Sequence, residues 1–407
     1  MKRHSKPHIL IAGGGIGGLT AALALLKRGF DVDVYEQASE LKEVGAGVQL
    51  SPNGNRVLFE LGVGEALMAL SCEATGKEIR LWNSGHTWKL FDLGAVSVER
   101  YGYPYLTVYR PDLIEVVAQA VRALKPDAIH LKSRVLGFTQ DASGVTLNLA
   151  NEQESGTVQG DALIGADGVH SVIRQGLFGA DEPERTGLMA WRGVIPMEHL
   201  PVHLRRPVGT NWVGPGAHVV NYPLHGGALM NFIGVVERSD IPVESWSVRG
   251  SQEDCLKDFR GWHDDVQRMI QAIDTPFKWA LMQRAPMARW SEGRVSLLGD
   301  ACHPTLPFLA QGAVMALEDG FILARALEAE VNDKGDIAQA LRRYEAARKE
   351  RTRRIVQGAA DNTKRFHNPE LANVEGASAY VDREWNEERV RQRYDWLFTY
   401  DVTQVSV

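Results

Sequence analysis

Cysteine is scarce in this chain of 407 residues: Cys72, Cys255 and Cys302 are the only three, they lie far apart, and none belongs to a CxxC pair. An odd, scattered set argues against a disulfide framework or a zinc site and is read as small buried hydrophobes. Long hydrophobic runs are missing too. The longest near the N-terminus, residues 19–26, has eight residues and includes Thr20, well short of the roughly 20 apolar residues that span a bilayer. The basic opening MKRHSKPH leads into a glycine-rich strand end rather than a signal-peptide core. A cytoplasmic protein without a membrane partner is expected. Positive charge is not in excess: 45 Lys and Arg against 51 Asp and Glu give a net charge of −6, which lends no support to a nucleic-acid partner. No internal repeat or low-complexity segment is visible. With 44% apolar and 24% charged residues the composition is that of a soluble globular protein. The length suits two or three domains, or one nucleotide-binding fold with large insertions.

Glycine, by contrast, is concentrated. The stretch HILIAGGGIGGLTAALALLKRGFDVDVYEQ covers residues 8–37. Residues 8–12 are a short apolar run, as in a buried parallel strand. Gly13, Gly15 and Gly18 then form GxGxxG: the first permits a tight turn, the second lets a pyrophosphate approach the backbone, the third lets helix and strand pack closely. Leu19, Leu23 and Leu26 recur at helical spacing, and Gly29 ends the helix. A second alternating run ends on Glu36, 18 residues after Gly18. A carboxylate there accepts hydrogen bonds from ribose hydroxyls and repels a 2′-phosphate. A dinucleotide site follows, NAD or FAD.

Further along, a glycine-rich loop and helix follow from residue 45, and residues 76–99 read as short strands. YRPDLIEVVAQAVRAL (109–124) is an amphipathic helix with Pro111 and Asp112 in its first turn. VTLNLA and ALIGADG read as strands. Aromatics, turn dipeptides and alternation over 186–284 suggest an antiparallel sheet with a helix near 252–272. GRVSLLGDACHP (293–304) returns to a buried strand, a helix follows over 312–330 with Val314, Leu317, Phe321 and Ala324 as its buried stripe, and the charge run after residue 336 reads as a solvated helix face. The order implies an α/β protein: a discontinuous Rossmann-type nucleotide domain (1–75, 100–185 and 285–355), an inserted antiparallel-sheet substrate domain (76–99 and 186–284), and a C-terminal helical segment (356–407).

Two more glycine–acid turns decide the cofactor. LIGADGVHSVIR (163–174) sets Asp167 and Gly168 after an apolar run, and VSLLGDACHP (295–304) does the same with Gly299 and Asp300. GxGxxG with its acid, then Asp-Gly, then Gly-Asp, resembles the single-component FAD-dependent aromatic hydroxylases, the flavoprotein monooxygenases. GDACHP, LAQGA, ALEDG and YDWLFTYDV are similar to salicylate and 3-hydroxybenzoate hydroxylases, and the likeness runs over roughly residues 6–405. The resemblance implies bound FAD, with Gly13, Gly15 and Gly18 at its pyrophosphate and Glu36 at the adenosine ribose. Arg110 would lie near the phosphate and ribityl portion, and Asp300 would hold the ribityl chain. Gly312 and Ala313 would face the isoalloxazine through backbone N–H groups. Asp167 would brace the loop and help dock the nicotinamide donor. NADH or NADPH would bind transiently, since no second GxGxxG exists. The implied reaction uses NAD(P)H and O₂ to hydroxylate a small phenolic acid through a flavin C4a-hydroperoxide. A hydroxypyridine carboxylate such as 6-hydroxynicotinate, or non-hydroxylating FAD oxidoreduction, are the alternatives. Related halogenases carry a lysine shortly after the glycine loop and a Trp-x-Trp-x-Ile-Pro motif; neither is found here. A monomer or homodimer is expected.

Such chemistry needs a water-shielded site and a deprotonated or strongly hydrogen-bonded phenol. Residues 212–236 read as a hairpin with His225, Gly226 and Gly227 in its turn. Strand alternation puts His218, Val220, Tyr222 and Leu224 on one face. The resemblance makes His218 the base for the phenol, with Tyr222 orienting it or binding a carboxylate. His303 is read as bracing the strand end, and the Pro304 carbonyl as an acceptor for the substrate hydroxyl. Pro307 and Phe308 stand where some relatives carry glutamine or histidine, so a hydrophobic ring pocket is expected. Trp191 and Arg192 are candidates to line it, Arg192 as partner of a substrate carboxylate. No metal site is expected.

Overall fold

The computed structural model of the chain describes residues 6–41, 47–151, 155–238, 248–332 and 336–407. The first residues of the glycine-rich loop expected at 45 and 46 lie outside them. Strand His8–Ala12 is central in a six-stranded sheet. Asp31–Tyr35 and then Ile129–His130 lie on one side, Ala162–Gly165 and then Val295–Leu297 on the other, all parallel. Ser291–Glu292 closes that edge antiparallel. A parallel sheet is covered on both faces, and residues 9–12 have no exposed surface. The pairing gathers three distant turns, after residues 12, 165 and 297, at one end of the sheet. Ligands of such sheets bind at the carboxyl ends of the strands.

The glycine loop opens helix Ile16–Lys27, and Gly29, at φ +78°, turns the chain back after Arg28. Helix Gly312–Asn332 packs closely against it, because a Cβ on Gly320 would lie 2.7 Å from the Ala21 nitrogen. Val314, Leu317, Phe321 and Ala324 are all buried, as their spacing predicts.

The second layer is an eight-stranded sheet. In spatial order it runs Val248–Arg249, Phe277–Gln283, Glu184–Pro196, Leu229–Glu237, Ala217–Leu224, Val208–Gly214, Gly76–Leu81, Thr87–Asp92. All neighbours are antiparallel except Val208–Gly214 beside Gly76–Leu81. Helices Gln252–Asp258 and Asp264–Gln271 stand where one was expected. One expectation fails locally: residues 76–99 are not strands throughout. Ala95–Tyr101 is a helix, bracketed by Gly94 at φ +62° and Gly102 at φ +81°, with the buried Ser97 hydroxyl donating to the Tyr103 carbonyl. The local alternation AVSVER imitates a strand, but the flanking turns override it.

The C-terminal part begins with helix Ile337–Phe366, which runs on past residue 355, followed by Val374–Glu384 and Glu387–Phe398. Its charge run is not simply a solvated face. Arg348 and Arg351 point inward, against the fully buried Glu318 and Asp319 of helix Gly312–Asn332. Arg348 pairs with Glu318 and with Asp319, both at 2.7 Å, and Arg351 pairs with Glu318 at 2.8 Å. Buried charge is tolerated only when compensated in this way. No described helix is long and apolar enough to cross a membrane.

Replacing Arg348 by methionine takes a cation from both buried carboxylates, leaving Glu318 to Arg351 and Asp319 to His303. Stability should fall by about 3–5 kcal/mol, read in thermal melts. Burial alone would raise the Asp319 carboxyl, but the His303 and Arg348 charges outweigh it and hold it at about 2, below the ordinary 3.8. A depressed carboxylate stabilises fully above its unfolded value and loses that contribution as pH falls through the folded one. Wild-type melting temperature should therefore drop between about pH 4 and about pH 2, and the Arg348→Met protein should lose stability at higher pH.

Candidate functional site

A cavity of about 710 Å³ opens between the carboxyl end of the parallel sheet and one face of the eight-stranded sheet. It falls within the roughly 300–1,000 Å³ typical of ligand sites. Gly13, Gly15 and Glu36 line one end, Arg110, Asp300, Gly312 and Ala313 its middle, and His218, Tyr222 and Phe308 the other end.

The three motif glycines take different positions. Gly13 sits at φ +107°, where a Cβ would meet the Ala166 carbonyl oxygen at 2.4 Å. Gly18 lies behind the loop, outside the cavity lining, and its Cβ would be 2.0 Å from the Gly13 oxygen. At Gly15 a Cβ would meet nothing, so this backbone is an open cradle on the cavity. Glu36 accepts the Gly14 N–H at 2.7 Å and the Ala38 N–H at 2.8 Å, which fixes its carboxylate at the wall.

Asp167 also lines the cavity, but its carboxylate is engaged locally. It accepts the Ser171 hydroxyl at 2.5 Å and the N–H groups of Val172 and Ile173 at 2.8 and 3.2 Å, capping helix Val172–Phe178. Bracing the loop fits this geometry. Asp300 opens onto the cavity with Arg110. Burial lifts its carboxyl above the ordinary value, against the pull of His303 and Arg110. His303 braces the turn as expected: buried, with Nε2 2.6 Å from Asp319, which also accepts the Gly299 N–H at 3.1 Å. Gly312 and Ala313 begin a 21-residue helix, whose N-terminus carries about half a positive charge. Its entry is held by Gln311, which donates to Ser51 at 2.9 Å and accepts from Asn53 at 3.1 Å. Motif reading missed this pair; two polar residues ahead of a helix carry no signal for a partner some 260 positions away.

At the other end His218, Val220 and Tyr222 reach the cavity together, as their alternation predicts. The buried His218 ring has Nδ1 2.7 Å from His367 Nε2 and stands edge-on to Phe308, with centroids 4.9 Å apart. Burial, and then His367, push its pKa well below the ordinary value. Burial raises the Tyr222 phenol, which bonds Gln49; Gln49 also accepts the Tyr105 hydroxyl at 3.1 Å. Pro304 and Pro307 complete an apolar wall. Trp191 is corrected: its indole N–H donates to Asp258 at 2.8 Å, away from the cavity, while Arg192 lines it. Adjacent strand residues face opposite sides, so the two could not both line the pocket.

Lys77, Gln49 and His367 were not anticipated. Lys77 lies on the cavity wall beside Gly209, its ammonium 4.7 Å from the Tyr105 ring centroid, and burial pulls its pKa down to about 7. No carboxylate among the described residues pairs with it. Nor does any group of three or more His, Cys, Asp or Glu among them form a metal site. The open Gly15 backbone, the anchored Glu36, the free edge of Asp300 and the helix N-terminus fit the dinucleotide expected from the sequence.

A family described as FAD binding domain matches residues 6–359. The chain is 36% identical over 402 residues to a 3-amino-4-hydroxybenzoate 2-monooxygenase of Streptomyces platensis, covering 98% of each. It is also 36% identical to a 3-hydroxybenzoate 6-hydroxylase of Polaromonas naphthalenivorans, covering 97% of this chain and 96% of that one. The crystal structure of Klebsiella pneumoniae HpxO complexed with FAD and uric acid superposes with a TM-score of 0.82 at 28% identity, covering 98% of both chains.

The glycines separate by function in a paired test. Gly15→Ala should melt within about 1 kcal/mol of wild type when stripped of cofactor, yet bind FAD at least about tenfold more weakly. Gly18→Ala should destabilise the stripped protein itself. Equal melting of the two variants would contradict this division.

Proposed function

This chain belongs to the FAD-binding family just described, and from that premise we propose that it is an FAD-dependent monooxygenase that hydroxylates a small phenolic acid, with NAD(P)H as electron donor. The observation that carries the reading is the single cavity joining a dinucleotide cradle to a buried histidine in an apolar pocket. Gly13, Gly15, Glu36, Arg110, Asp300, Gly312 and Ala313 would hold FAD, with Gly18 and Asp167 supporting the loops. Bound and reduced, FAD supplies the activation of O₂ needed to insert an oxygen atom into an aromatic ring.

The chain's own residues do the rest. His218 takes the phenol proton, because a phenolate feeds more electron density into the ring than a phenol. Its depressed pKa keeps it neutral, and so able to accept, across the physiological range. Tyr222, held by Gln49, orients the ring, and the Pro304 carbonyl accepts from the substrate hydroxyl on binding, before His218 takes that proton. Pro307, Phe308 and Val220 exclude water. Lys77 and Arg192 are the cations on this wall, and a substrate carboxylate would restore to Lys77 the opposite charge its burial lacks.

The direct experiment supplies the FAD-loaded protein with NADH or NADPH and a panel: 3-hydroxybenzoate, salicylate, 3-amino-4-hydroxybenzoate and 6-hydroxynicotinate. Substrate-dependent cofactor oxidation with a hydroxylated product supports the reading, and turnover of the pyridine alone selects the alternative ring. A flavin-free protein, or oxidation without product, contradicts it. His218→Asn should keep FAD and lose about 10²–10⁴-fold in coupled turnover. Lys77→Met should raise KM for the carboxylate substrate at least about tenfold while leaving its carboxamide analogue unaffected.

A further inference from the structure

The hydrogen bond from His218 does not end at His367. His367 closes the long helix Ile337–Phe366 as its C-cap, and its ring has a second partner: Nδ1 lies 2.8 Å from Glu237 Oε1. His218 and His367 are buried, with side-chain exposure of only 2% at His367, whereas the Glu237 side chain is 57% exposed. The three groups form one line from the cavity wall to the surface. Phe308 and Phe366 also pack on the His218 ring. Among the described residues His367 is the only ionisable group within hydrogen-bond reach of it.

Donor and acceptor roles follow from the chemistry of the ends. The Glu237 carboxylate can only accept, so His367 Nδ1 carries the proton. The neutral His367 ring then offers a lone pair at Nε2, and this accepts from His218 Nδ1–H. Neutral His218 is thereby left with an unprotonated Nε2, the nitrogen with no partner among the described residues, on a ring that lines the cavity. A surface carboxylate thus selects the tautomer of a buried base through an intervening imidazole, as a third group orients the base in nucleophilic triads.

We propose that His218, His367 and Glu237 form a proton relay between the substrate hydroxyl and solvent. The proposal rests on the reading of His218 as the base. Its steps balance. The substrate O–H bond breaks and its proton bonds to His218 Nε2. The proton on His218 Nδ1 passes to His367 Nε2. The proton on His367 Nδ1 passes to the Glu237 carboxylate, which releases it to water. The oxygen keeps its electron pair as phenolate, and one proton leaves for each one taken up. The same hops in reverse return a proton to the product oxygen and restore the starting tautomers. Without such a path the proton would stay on a ring that burial keeps from holding charge.

Mixing the FAD-loaded protein with 3-hydroxybenzoate and no NAD(P)H, in weak buffer with phenol red, reports proton release without turnover. Wild type should release a proton as rapidly as the ligand binds. His367→Gln presents a carbonyl that still accepts from His218 but carries no proton onward, so release should slow at least tenfold with the dissociation constant within twofold. Glu237→Gln, at an exposed site that tolerates substitution, should slow it similarly and keeps the test open if the His367 variant does not fold. Wild-type release rates in His367→Gln, or in Glu237→Gln where that is the only folded variant, with His218→Asn silent would remove the relay and leave the base. Wild-type release from His218→Asn, or no release from wild type saturated with ligand, would remove the base reading itself.

Discussion

Two carboxylates with no access to water set the geometry of this protein. Glu318 and Asp319 lie on the inner side of helix Gly312–Asn332 and are neutralised by Arg348 and Arg351 from helix Ile337–Phe366. Several kcal/mol of desolvation per ion leave little freedom in such an arrangement, because any slippage exposes a buried charge to a low-dielectric surrounding. The cluster reaches outward from there. Glu318 accepts from Asn53, which ties in Gln311 at the mouth of the helix, and Asp319 holds the Gly299 N–H and His303. One ionic knot thus locates the helix N-terminus, the Gly299 turn and the long C-terminal helix.

That helix matters at its far end. From Arg348 near its middle it runs to Phe366 and the capping His367, so the charges that lock it beneath the parallel sheet also set where an imidazole meets His218. The two functional ends of the cavity are coupled through a rigid element. The cofactor half depends on the helix that Arg348 grips, the substrate half on the one that bears Arg348.

The substrate half owes its chemistry to strand alternation. On Ala217–Leu224, His218, Val220 and Tyr222 share the cavity face, and on the next strand but one Arg192 does so while Trp191 turns away. Lys77 arrives from a different part of the chain, on the strand paired in parallel with Val208–Gly214, where Gly209 leaves room for its stem. His218, Tyr222 and the two cations therefore stand on one wall, above an apolar floor of Pro307 and Phe308.

Local pattern was enough for much of this. Glycine spacing, the acid at residue 36, the Asp-Gly and Gly-Asp turns and the two-residue period around His218 each depend on neighbours a few positions away, so the nucleotide loop, the parallel strands and the face bearing His218 and Tyr222 were legible from the chain alone. What escaped are contacts between residues far apart in sequence. A charge run at helical spacing looks solvated until Glu318 is found beneath Arg348; AVSVER looks extended until its flanking glycines turn; and nothing near His367 announces a partner 149 positions earlier. Local periodicity determines which side of an element a residue occupies. Only the packing of elements, where burial makes every charge and polar group find a partner, decides what that side meets.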